Sequence, residues 1–269
     1  MDKKTINLYE NKNKLLDAAI DKITVEIIGK KKEEGAQFIA MTACSPLAGT
    51  TSTSISLAIA MAATSRKTVL VDCDVRKSGI YKKLNDQAGK GLTDYISAKS
   101  DMRASVDDLL YDTNVDDLYY IPCGITDENP TRILCSEKFD QLMGELGQRF
   151  DYIILDCPSI SVVPDAQIMF KKVDGIILVA ALGETKRTQI KDARRLMAAY
   201  KGQYYGMIIN KIPRDIYKKN VKNADYYLTD KKGRQRFEKF KAYRKRKVTE
   251  EVTVTTENEE SEGKRNGKK

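Results

Sequence analysis

Histidine is absent from the 269 residues. That excludes His-based catalytic triads and His-ligated zinc. No uninterrupted apolar run exceeds seven residues, so no segment of the sequence has the length and polarity of a membrane-spanning helix. The opening MDKKTINLYENKNK lacks the apolar stretch that a signal peptide needs. The five cysteines (Cys44, Cys73, Cys123, Cys135, Cys157) are scattered, odd in number and without CxxC spacing. They fit a reducing compartment, not a disulfide framework, and Cys44, Cys73 and Cys157, beside the strand ends, are expected to be packing residues. What is present is core material: 41% hydrophobic residues beside 32% charged, enough for one large domain or two small ones.

The net charge of +9 is uneven. Residues 1–210 carry 28 basic and 28 acidic side chains, residues 211–247 carry 15 and 4, and residues 248–269 carry 4 and 6. The basic character therefore belongs to one short stretch. Such a cluster suits anionic lipid, nucleic acid or an acidic partner, or is simply a solvated, partly helical tail. A short helix is expected around 232–246, and the polar end, ENEESEGKRNGKK, reads as disordered.

Apolar positions at Leu15, Leu16, Ala19, Ile20, Ile23 and Ile27 predict a helix over 8–29, punctuated by Lys30–Gly35. Six short apolar runs follow: FIAMTA (38–43), TVLVD (68–72), LYYIP (118–122), YIILD (152–156), GIILVAAL (175–182) and YGMIIN (205–210). They are near-continuous, not alternating, as strands buried on both faces are. Helices are expected at 52–65, 136–149 and 187–200. Strand and helix in alternation predict an α/β fold, a doubly wound, mostly parallel sheet flanked by helices, with ligands at the carboxyl ends of the strands. Four segments are expected: a helical N-terminal part (1–35), a nucleotide-binding domain (36–212), a basic segment with tyrosines (213–247) and a tail (248–269).

The first strand runs through Cys44-Ser45-Pro46-Leu47-Ala48-Gly49-Thr50-Thr51-Ser52 into a helix. Strand, loop and helix N-terminus form the layout of a phosphate-binding P-loop, in which backbone N–H groups hold phosphate oxygens. Taken alone the loop also reads as a Ser/Thr-rich helix cap. A second strand ends in Asp72-Cys73-Asp74-Val75-Arg76, and a later one delivers Asp156 at its tip, as a Walker B strand delivers its magnesium carboxylate. A single Asp at a strand end is commonly a turn or cap residue. Several acidic strand ends together with a P-loop-like turn are not.

With those residues in view, 36–212 resembles the P-loop protein-tyrosine kinases of bacterial capsule and exopolysaccharide synthesis, and more distantly the partitioning and septum-placement ATPases. The resemblance rests on Val69–Arg76 (DxDxR), Gly91–Ile96, Asp117–Gly124, Asn129–Ser136, Phe150–Pro158 with Pro164-Asp165-Ala166, Asp174–Val179 and Gly206–Asn210. It implies ATP and Mg²⁺ as cofactors. Ala48, Gly49, Thr50, Thr51 and Ser52 would hold the phosphates and Asn210 would read the adenine. Asp72 would act as base, with Asp74 beside it, and Arg76 would stabilise phosphate charge or position the acceptor. Thr51, Asp74 and Asp156 would hold or orient the metal. It further implies a cytoplasmic protein that works with a membrane-bound activator or polysaccharide co-polymerase, with a homo-oligomer among the expected assemblies; the positive charge of 211–247 is expected to contact anionic lipid at the inner face of the membrane or the activator's cytosolic end. Nucleic acid is not expected as a partner.

Three departures qualify the resemblance. Thr50 stands where the family has the P-loop lysine, with Leu47 and Ala48 where it prefers Gly and Glu. The tail lacks the family's tyrosine cluster, Tyr226-Tyr227 being its one adjacent pair. No arginine occurs in residues 1–37, where the family's ring-forming helix carries Glu-x-x-Arg-x-x-Arg. Losing one charged hydrogen bond costs about 1.5–3 kcal/mol, and losing such a donor in a transition state costs roughly 10²–10³ in rate. The expectation is a nucleotide-binding protein with weakened phosphotransfer. The alternatives are an inactive regulatory relative that binds the co-polymerase and, less favoured because residues 42–52 contain no lysine, a partitioning-type ATPase.

Overall fold

The computed structural model describes residues 5–8, 14–76, 90–97, 105–125, 128–200, 203–213 and 215–216. The chain divides into two units, Met1–Ile212 and Pro213–Lys269. The second lies almost wholly outside the described residues, as do the expectations for a 232–246 helix, the tyrosines and the tail.

The first unit is built on one eight-stranded sheet. Its strands are β1 (Thr5–Ile6), β2 (Phe38–Ala43), β3 (Thr68–Asp72), β4 (Tyr111–Thr113), β5 (Leu118–Ile121), β6 (Tyr152–Asp156), β7 (Gly175–Ala181) and β8 (Tyr204–Asn210), in the spatial order β1-β4-β5-β3-β6-β2-β7-β8. Every pairing is parallel except β4 with β5. The six apolar runs fall on six of these strands, and the fold class is as expected. Every residue of β3, β6 and β7 is buried, which is why their sequences do not alternate.

Helices α1 (Lys14–Glu34) and α2 (Thr50–Ala62) pack on one face. There Ile20, Ile27, Leu57 and Met61 share a core with Met41, Leu70, Ile154 and Ile177. Helices α3 (Leu92–Ser97), α4 (Pro130–Leu134), α5 (Glu137–Arg149), α6 (Asp165–Phe170) and α7 (Arg187–Met197) complete the set. On the second face Phe139, Leu142 and Leu146 of α5, Phe170 of α6 and Met197 of α7 meet Val69, Val71, Ile153, Leu155 and Leu178. Strand parity assigns the faces: Leu70 and Ile154 point one way, their neighbours the other.

The helix expected at 8–29 needs correction. It runs to Glu34, through the charge run read as punctuation. Lys30 pairs with Glu34 at 2.6 Å, and Lys31 donates to the Asp151 carbonyl at 2.5 Å and lies 4.7 Å from the Tyr152 ring centre. The charges are a solvated helical face with apolar stems packed inward. Gly35, at φ +74°, ends the helix, its N–H bonded to Lys31 O. The other helices differ from expectation by a few residues at their ends: α2 begins at Thr50, and α7 gives way after Met197 to a 3₁₀ turn, Ala198–Tyr200.

Candidate functional site

The carboxyl ends of β2, β3 and β6 lie side by side, and each ends at a residue the sequence singles out. From β2 the chain turns through Cys44–Gly49 into α2. Leu47 takes φ +60° and is 81% exposed, so the turn keeps a left-handed backbone where the family prefers glycine. Gly49 is the residue before the helix, at φ +88°. A Cβ there would lie 2.3 Å from Asn210 Nδ2. Asn210, at the tip of β8, donates that amide to the Ala48 carbonyl at 2.9 Å. Ser45 Oγ and Thr185 Oγ1 lie 2.8 Å apart, tying the turn to the segment after β7. No side chain caps α2, so the first-turn N–H groups of Thr50, Thr51 and Ser52 carry the helix's positive end toward the turn. This is a cradle for an anion.

The acidic residues come from the neighbouring strand tips. Asp72 ends β3 and Asp156 ends β6, and the two are partners across the ladder. Both share the parity of Leu70 and Ile154 and so face α2. Asp72, Asp74 and Asp156 are all buried. Asp74 donates its N–H to Asp72 Oδ1 at 3.0 Å. Ser54, one turn into α2, donates to the Thr50 carbonyl at 3.0 Å and to Asp156 Oδ1 at 3.4 Å. Tyr120 of β5 is buried, and its hydroxyl is hydrogen-bonded to Asp72; burial, then Asp72, Cys123 and Asp156, push that hydroxyl well above its ordinary pKa.

Arg76 does not reach out alone. Its Nε donates to Asp165 Oδ2 at 2.5 Å and its Nη2 to Asp165 Oδ1 at 2.9 Å, with Thr131 Oγ1 3.4 Å from Oδ1. Its hydrogen bonds to the Asp165 carboxylate raise the guanidinium's pKa.

The structure thus brings Ala48, Gly49, Thr50, Thr51 and Ser52 to the carboxyl edge that also carries Asp72, Asp74, Asp156 and Asn210. Asn210 makes a contact the sequence does not foretell: its amide holds the loop. Among the described residues no three His, Cys, Asp or Glu side chains form a ready-made metal cage. Cys44, Cys73, Cys123 and Cys157 are buried beneath the same edge, and burial pushes the Cys44 thiol up to about 11. They pack in the second-face core, as expected of structural thiols. Sequence reading assigned no role to Ser54, Tyr120, Thr131 or Asp165. Tyr120 shares its strand face with Asp72 only once the register Leu70↔Tyr120 is known, and Asp165 is 89 residues from Arg76.

Residues 36–183, more than half of the chain, match the AAA domain family. The chain is similar to the tyrosine-protein kinase CpsD of Streptococcus pneumoniae serotype 4, with 34% identity over 68% of this chain and 79% of that protein. In fold it resembles the chimerical protein CapA2B2 (TM-score 0.68, 22% identity, 78% of this chain and 94% of that one). It also resembles the septum site-determining protein MinD of Pyrococcus horikoshii, solved with Mg-ADP (TM-score 0.52, 19% identity, 69% and 77%). With a P-loop cradle, acidic strand tips and this extent of likeness, the chain belongs to the family of bacterial tyrosine-protein kinases represented by CpsD, built on the P-loop ATPase fold.

Proposed function

We propose that this chain binds MgATP at the edge formed by β2, β3 and β6, and that it acts in capsular or exopolysaccharide synthesis as a kinase-like protein with weakened phosphotransfer. The observation that carries the reading is the left-handed Gly49 turn opening an uncapped α2 beside buried Asp72 and Asp156. The backbone N–H groups of residues 49–52 would receive the β- and γ-phosphates. Thr51, Asp74 and Asp156 would share the magnesium, with Ser54 fixing Asp156. A bound magnesium ion would supply the charge neutralisation that phosphoryl transfer needs. Asp72, held by Tyr120 and by the Asp74 N–H, would accept the proton of a tyrosine hydroxyl. Asn210, at the tip of β8, would hold the loop and read the adenine.

Thr50 sets the expected weakness. A lysine there is a point charge on the phosphates, and threonine supplies none. Backbone amides and magnesium support binding; transfer loses one charged donor. The second reading, an inactive regulator that works through a membrane-bound activator or co-polymerase, is favoured by this same substitution. Both readings place the chain in the cytoplasm; among the described residues no helix is long and apolar enough to cross a membrane.

Thermal unfolding with and without saturating MgADP separates the two readings, on wild type and Thr50→Lys side by side. A ligand at about 100 times its Kd stabilises by roughly 2.7 kcal/mol, worth several degrees at about 2–4 °C per kcal/mol. A shift in wild type is the expected result, with a larger one in Thr50→Lys. A shift in Thr50→Lys alone makes the chain a nucleotide-silent regulator.

A further inference from the structure

We infer that Asp165 is the positioning residue for Arg76, and that the two act as one unit on the terminal phosphate of a bound nucleotide; this rests on the nucleotide-binding reading given above. Asp165 opens α6 but does not cap it: the helix start has no side-chain cap bond. Its carboxylate is instead given to Arg76, which donates Nε and Nη2 to the two oxygens at 2.5 and 2.9 Å. Thr131, at the start of α4, adds a third donor to Oδ1 at 3.4 Å. Asp165 is fully buried, whereas the Arg76 side chain remains 38% exposed.

A buried carboxylate is an expensive residue to keep for stability alone. An amide or an apolar side chain of similar volume often serves as well or better. A carboxylate does what they do not: it accepts both N–H groups along one edge of a guanidinium and fixes the plane of the fork. With that edge held, the Arg76 side chain stays 38% exposed just past the acidic end of β3, two residues beyond Asp74. The clasp joins three segments of distant sequence, the loop after β3, α4 and α6. The orientation of Arg76 is therefore set by the fold and not by its own rotamers. A free arginine in that loop would lose side-chain entropy on meeting a phosphate; this one has already lost it.

The test is a titration of the full chain with MgADP and with the magnesium complex of a non-hydrolysable ATP analogue, on wild type, Arg76→Gln, Asp165→Asn and the double variant, each first shown to be folded by thermal unfolding. Arg76→Gln and Asp165→Asn are both expected to lower the preference for the ATP analogue over ADP by about tenfold or more, the effect of one charged hydrogen bond. The MgADP Kd should change less than about twofold, and the double variant should fall no further than either single. A merely structural role would weaken both nucleotides alike. The inference is overturned if Asp165→Asn keeps the wild-type preference while Arg76→Gln loses it, if the two losses multiply, or if Arg76→Gln changes nothing. Should Asp165→Asn not fold, Asp165→Glu keeps the charge and moves the fork by one methylene, with the same loss of preference expected and a retained preference counting against the idea. Absence of any nucleotide binding by wild type appears before a substitution is made and removes the binding reading itself, and this inference with it.

Discussion

At the scale of single residues, the site is held by contacts that a motif does not contain. Gly49 is the clearest case. Its φ of +88° is left-handed, and a Cβ would meet the Asn210 amide at 2.3 Å. Gly49→Ala therefore imposes backbone strain of about 1–2 kcal/mol and displaces the amide that holds Ala48 O. A fall in the melting midpoint of several degrees is expected, with weaker MgADP binding by titration. Arg76 gives the opposite lesson. Removing it leaves the buried Asp165 carboxyl without its main partner, which lowers stability. Arg76→Ala should thus be destabilised, and Arg76→Ala/Asp165→Ala less so, when their unfolding midpoints are compared. Loss of function in Arg76→Ala alone would say little about chemistry. The cysteines add a check on burial. Cys135 is exposed and the other four are buried. Burial pushes the Cys44 thiol up to about 11, so it stays largely protonated at pH 8. Alkylation of the native protein at pH 8 should mark Cys135 first, with the remaining four reacting only after denaturation, as read by mass spectrometry.

At the scale of elements, legibility in the sequence followed burial. FIAMTA, TVLVD and YIILD coincide with β2, β3 and β6 because strands with both faces covered must be apolar throughout, and polar residues mark their ends. The tips of those strands were legible for the same reason, and they carry Asp72 and Asp156. The short strands β1 and β4, two and three residues long, left no run to detect. The three helices of five or six residues, α3, α4 and α6, were equally silent; their positions are set by packing and by caps such as Asn129, which accepts the Thr131 N–H at 2.9 Å. The supports of the site lie on elements that come together only in the folded chain: Ser54 on α2, Tyr120 on β5, Thr131 on α4 and Asp165 on α6. Helix α5, by contrast, was readable from Ser136 onward. Ser136 accepts the Phe139 N–H at 3.2 Å, and Phe139, Leu142, Met143 and Leu146 form the buried stripe. Ser136→Ala removes that cap, costs about 1 kcal/mol and should lower the midpoint by about 2–4 °C without altering nucleotide affinity.

At the scale of the whole molecule, charge and chemistry are separated along the chain. Residues 1–210 carry equal numbers of acidic and basic groups, so the P-loop unit has little net field of its own with which to find a membrane. Residues 211–247 carry an excess of eleven positive charges, with Arg244-Lys245-Arg246-Lys247 the densest run. Near an anionic bilayer each such residue contributes about 1 kcal/mol, and the attraction decays over a Debye length of about 10 Å at 0.1 M salt. The proposed membrane attraction would therefore act through residues 211–247 and not through residues 1–210. Replacing those four residues by Gln should lower co-sedimentation with phosphatidylserine-containing vesicles by at least tenfold at 50 mM salt. Raising the salt to 500 mM should abolish most of the wild-type binding, and MgADP affinity should be untouched in both proteins. Equal sedimentation of wild type and the Gln variant at low salt would place the attraction elsewhere on the chain and leave the basic segment as a solvated tail.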